Sequence, residues 1–111
     1  MANAPIGAYY PGTLSVSTPN SVPPQVPYKG DAWTLTKLHC RVVTAPTGAA
    51  AKVKIWRNGA SMGEVTIAIS AFSGNVTGLS VSVADGDYFA IEITQIGSTI
   101  AGADLTWVVA P

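Results

Sequence analysis

"AKVKIWRNGASMGEVTIAI", Ala51 to Ile69, carries the reading that decides the fold. Val53 and Ile55 share one parity while Lys52, Lys54 and Trp56 take the other, which is the two-residue period of a half-buried strand. Asn58-Gly59 then breaks the pattern. Both residues tolerate the positive φ of a type I′ turn, so the pair is a strong hairpin signal. Val65, Ile67 and Ile69 resume the alternation beyond it. The expectation is an antiparallel hairpin.

The same period recurs outward from this hairpin. "LSVSV" aligns Leu79, Val81 and Val83; "YFAIEIT" aligns Phe89, Ile91 and Ile93; "ADLTWVV" aligns Ala103, Leu105, Trp107 and Val109. In "AWTLTKLHCRVVT" the parity switches, from Trp33 and Leu35 to Leu38, Cys40 and Val42, which predicts a bulge, a bend or a strand covered on both faces. Ser70–Gly78 reads as a loop. Gly, Asn, Asp and Ser join the runs, and no helical period occurs. The predicted class is all-β, an antiparallel sandwich or barrel over residues 31–111, with a jelly-roll-like β-sandwich as the form expected.

Residues 1–30 are different. Six of the eight prolines lie here: Pro5, Pro11, Pro19, Pro23, Pro24 and Pro27. Each lacks an N–H and restricts its predecessor, which excludes helix and disfavours an interior strand. Yet no charged side chain occurs before Lys29, and Tyr9, Tyr10, Leu14, Val16 and Tyr28 are apolar enough to seek cover. This segment is expected to be an extended Pro-rich arm with those five residues as its anchors on a neighbour, and Gly12–Thr18 as a candidate edge strand.

Composition limits function. Six basic and six acidic residues cancel, leaving no field to steer nucleic acid or an anionic membrane. Charged residues are 11% of the chain, less than half the ~25% of ordinary soluble domains. Interface centres are depleted of charge, so such a surface suits assembly. Cys40 has no cysteine to pair with, and no Cys/His cluster has zinc spacing. The first residues lack the basic and apolar regions of a signal peptide, and no stretch reaches the ~18 apolar residues of a membrane span. A reducing cytoplasm is the expected place of synthesis.

Three late carboxylates raise the question of chemistry. Asp85-Gly86-Asp87 reads as a tight turn in which Gly86 supplies the unusual φ; the rival, a calcium loop, lacks EF-hand spacing and would need Asp104 or Asp31 as a further ligand. Asp104, Glu64 and Glu92 fall on polar parities, and a hydrolytic pair would need one acid in an apolar pocket. His39 has no Ser-His-Asp context, and Cys40 reads as a small buried hydrophobe. No catalytic residue, metal or cofactor is expected. Trp33, Trp56 and Trp107 read first as core or interface. Trp56, whose parity opposes Val53 and Ile55, and Tyr88 are candidates for an outer-face binding platform.

"TAPTGAAAKVKIWRNGAS" (Thr44 to Ser61) and "VADGDYFAIEITQIGSTIAGADLT" (Val83 to Thr106) resemble a small β-sandwich module of tailed-phage virion proteins, found at the ends of tail fibres and as short free-standing proteins. The most specific pieces are Ala45-Pro46-Thr47-Gly48, Asn58-Gly59, Gly86-Asp87, and Ile96-Gly97-Ser98 followed by Ala101-Gly102-Ala103-Asp104-Leu105. These are mostly turn residues and speak for fold. The resemblance implies a non-enzymatic virion protein and a homotrimer. With only the arm upstream, the chain is expected to be a capsid decoration (cement or knob) protein bound to the phage major capsid protein or another virion protein. The alternatives are a receptor- or carbohydrate-binding fibre module facing a host-surface glycan, and a tail or baseplate subunit.

Overall fold

The computed structural model describes residues 6–16 and 22–111. Ten strands follow one another: β1 (Ile6–Thr13), β2 (Val22–Pro27), β3 (Trp33–Leu35), β4 (Lys37–Thr44), β5 (Ala51–Arg57), β6 (Ala60–Ile67), β7 (Ser73–Val76), β8 (Val81–Val83), β9 (Tyr88–Gln95) and β10 (Ala103–Ala110). Among the described residues there is no helix. The strands form two four-stranded sheets, ordered β1-β10-β4-β7 and β2-β9-β5-β6, and a two-stranded sheet β3-β8. Every pairing is antiparallel.

The hairpin at Asn58-Gly59 forms as its sequence dictates. Both residues have positive φ, 51° and 82°, and Arg57 faces Ala60 across a two-residue turn. Val53, Ile55, Val65 and Ile67 all point inward and are fully buried. Ile69 departs from the expectation: β6 ends at Ile67, and Ile69 is 55% exposed. The parity switch near Thr36 is a bend. There the chain leaves the small sheet and enters the β1-β10-β4-β7 sheet, so Trp33 and Leu35 face the same core as Leu38, Cys40 and Val42.

One core gathers the inward residues of all three sheets. Leu105, Trp107 and Val109 on β10 join Phe89, Ile91 and Ile93 on β9, with Val83 and the residues named above. Burial of each such large side chain contributes about 1.5–3 kcal/mol. Leu79 and Val81 are only half-buried, because the β3-β8 sheet is two strands wide.

Two described stretches of the Pro-rich segment, Ile6–Thr13 and Val22–Pro27, lie on the chain's own sheets. β1 is the edge of one four-stranded sheet and β2 the edge of the other, positions where a missing N–H leaves no ladder bond unmade in the interior. Pairing slips between Tyr10 and Thr13, around Pro11, and between Val22 and Val26, around Pro23 and Pro24. Of the candidate strand Gly12–Thr18, Gly12 and Thr13 end β1, Leu14 to Val16 are not strand, and the last two residues lie outside the described residues. β7 was unforeseen: Ser73–Val76 pairs with β4 inside the expected Ser70–Gly78 loop.

Candidate functional site

The three carboxylates act first on their own chain. Asp87 ends the β8–β9 turn, where its N–H donates to the Ala84 carbonyl at 3.1 Å and Gly86 takes φ 90° at the third position. Its carboxylate accepts from the Ala84 N–H at 2.9 Å, Asn58 Nδ2 at 2.8 Å and an Arg57 guanidinium nitrogen at 3.3 Å. Asn58 Oδ1 in turn accepts the Tyr88 N–H at 3.0 Å. Burial alone would raise the Asp87 carboxyl, but the Asn58, Ala84 and Arg57 donors hold it below its ordinary value. The turn is thereby pinned to the β5–β6 hairpin.

Asp85 works on the segment after β2. It accepts the Gly30 N–H at 2.9 Å and meets Lys29 Nζ at 3.0 Å. Both side chains are exposed, so the ion pair adds little stability and the backbone bond carries the geometry. Asp104 faces β1: it accepts the Gly12 N–H and the Tyr9 O–H, each at 2.9 Å. The Gly12 bond, then the Tyr9 bond, lower its carboxyl, and the Tyr9 phenol is raised by the same contact. Asp104 itself has φ 58°, a left-handed conformation that Asp tolerates better than most residues.

Among the described residues, no three His, Cys, Asp or Glu side chains gather as ligands for one ion. Cys40 is fully buried, and burial pushes its thiol up to about 12. His39 is exposed, opposite Asn75 on β7.

The expected arm anchors divide. Leu14 is withdrawn from any partner: it is 2% exposed in the chain's own core, its N–H donating to the Gly102 carbonyl at 2.9 Å. Tyr10 is half-buried against that core. Tyr28 also packs there, its ring 6.1 Å from Trp33 in an edge-on contact and its O–H donating to the Asp31 carbonyl. Tyr9 and Val16 remain exposed, at 52% and 61%. Of the tryptophans, Trp33 and Trp107 are core, while Trp56 and Tyr88 are half-buried. Trp56 sits opposite Ala90 on β9, and its indole Nε1, shielded from solvent, has no hydrogen-bond partner.

A different surface emerges at one end of the β1-β10-β4-β7 sheet. Thr13, Ala103, Thr44 and Ser73 lie at that end in adjacent strands. Four loop segments meet there: 14–16, 45–50, 68–72 and 96–102. None contains a charged residue. Backbone bonds knit them together: Ser70 N–H to the Pro46 carbonyl at 2.8 Å, Val42 N–H to Phe72 at 2.8 Å, Thr47 N–H to Ile100 at 2.9 Å and Thr99 N–H to Thr47 at 3.0 Å. Val16, Ile69, Phe72 and Ile100 are exposed on these loops, with Val43 exposed near the end of β4. Sequence reading missed this cluster, although charge-free loops were its visible sign.

In comparisons with known proteins, no family model matches this chain and no curated protein matches it.

Proposed function

We propose that this chain is a non-enzymatic structural protein of a bacteriophage virion, a capsid decoration (cement or knob) protein that binds the capsid surface as a homo-oligomer, with a homotrimer as the unit. Its fold is a jelly-roll-like β-sandwich, in which β1-β10-β4-β7 lies over β2-β9-β5-β6 and the Pro-rich segment supplies one edge to each layer. The observation that carries this reading is the uncharged loop end, where apolar side chains stand exposed on a framework fixed by backbone hydrogen bonds. Such a surface is suited to adhesion between proteins rather than to proton or group transfer. The engagement of Asp85, Asp87 and Asp104 with their own chain supports the same reading.

Capsids assembled without the protein should take it up from solution at a fixed stoichiometry, and antibodies should label the head of intact virions. Label on the tail would replace decoration by a tail or baseplate role, and virions free of label would end the virion proposal. A glycan-binding fibre module is the second reading. One observation favours it: Trp56 and Tyr88 lie side by side near the hairpin, each only half-buried. Glycan-array binding that disappears in Trp56→Ala would select it.

A further inference from the structure

All six large hydrophobic side chains that stand exposed among the described residues lie on the uncharged loop end or on the strands entering it: Tyr9, Val16, Val43, Ile69, Phe72 and Ile100. The opposite end is unlike it. Lys29, Asp85, Arg57 and Asp87 cluster around the hairpin and the β8–β9 turn, and they neutralise one another in two ion pairs. The molecule is therefore two-ended, sticky at one end and polar at the other.

We infer that the uncharged end, around Ile69, Phe72 and Val43, is the surface through which a second copy of this chain docks. The inference rests on the homo-oligomer in the proposed function and names the face that forms it. Charge selects this occupant. Where copies meet about a symmetry axis, a charge near that axis comes close to its own copy, which is destabilising, and the four loops carry none. The backbone bonds among those loops hold the patch in shape before contact, so little ordering entropy is lost on docking.

Size sets the strength. Eight residues of strand at ~3.3 Å rise account for about 26 Å, so the 43 Å axis follows the strands and its end measures 24 by 19 Å across Cα atoms. A standard stable interface buries ~800 Å² per partner, more than such an end offers. Self-association is accordingly reversible and grows with concentration.

Sedimentation equilibrium from about 10 µM to about 1 mM tests this. The mass of the wild-type protein should climb above 11.4 kDa as concentration rises. Ile69→Glu/Phe72→Glu should need at least about tenfold more protein for the same climb, while Ala60→Glu at the hairpin end should match wild type. Val43→Lys provides a second variant, and unchanged circular dichroism and urea midpoints certify the fold of each. Assembly of wild type with equal assembly of both loop-end variants would overturn the docking face and leave the homo-oligomer standing. A wild-type protein that stays at 11.4 kDa throughout would overturn both.

Discussion

The phenol of Tyr9 donates its O–H to Asp104 across the β1–β10 pair at 2.9 Å, beside the Gly12 N–H on the same carboxylate. One left-handed aspartate thus fastens a residue before the irregularity in β1 and a residue within it to the neighbouring strand. This contact between an exposed phenol and a half-buried carboxylate adds to the β1–β10 ladder, and its pH dependence can be worked out.

Asp104 has a lowered folded-state pKa, so its contribution is full above the ordinary value of 3.8 and is lost as pH falls through the lowered one. Tyr9 has a raised pKa, so its contribution is full below 10.0 and is lost as pH climbs through the raised value. β1 amides should therefore exchange slowly near neutrality and faster at both extremes, relative to β9 amides as an internal standard. In Asp104→Ala they should exchange fast at every pH. A wild-type β1 whose relative protection is flat from acid to alkali would refute the latch.

Leu14 and Val16 are two residues apart and should respond oppositely. Leu14→Ala removes a core side chain and should cost about 2–4 kcal/mol in urea unfolding, whereas Val16→Ala, at 61% exposure, should change stability by less than about 0.5 kcal/mol. Equal, small effects would mean that residues 6–16 are not part of the folded unit.

Gly74 marks the seam where β7 crosses β6. A Cβ at this position would land on the Thr66 carbonyl oxygen, a backbone atom that cannot rotate away. Gly74→Ala should cost roughly 2–3 kcal/mol and free β7 first, seen as early loss of protection at His39 to Arg41, its partners on β4. A fully stable variant would show that the two layers do not meet there.

Cys40 reports on opening of the whole core. Its thiol is buried and pushed up to about 12, so the reactive thiolate is scarce and shielded at neutral pH. Labelling by a disulfide reagent should be slow in native protein and should follow the unfolding curve in urea. Prompt labelling of native protein would contradict the placement of Cys40 between Leu38 and Val42 on the inner face of β4.

Local patterns in the sequence carried the central strands. Alternation at Val53, Ile55, Val65 and Ile67 and the Asn58-Gly59 turn are nearest-neighbour physics, and both appear as expected. The parity break at Thr36 also announced a real bend. What stayed hidden depends on distant partners. Ser73–Val76 is a strand only because β4 offers it an edge, and nothing in "SGNV" alternates. Likewise, Leu14 and Val16 share a parity in sequence, but the chain leaves β1 before them, so one enters the core and the other does not. The roles of the three aspartates as turn and chain fasteners were half-visible. The turn at Gly86 was legible, whereas the reach of Asp104 to Tyr9 requires β1 to lie beside β10.

Ile6 pairs with Val109, which brings the start of β1 and the close of β10 together at the edge farthest from the charge-free loops. A fluorescent tag or displayed peptide attached after Ala110 would consequently leave from that corner of the particle. It would point away from the charge-free loops, so labelling should leave their exposed apolar side chains unobstructed.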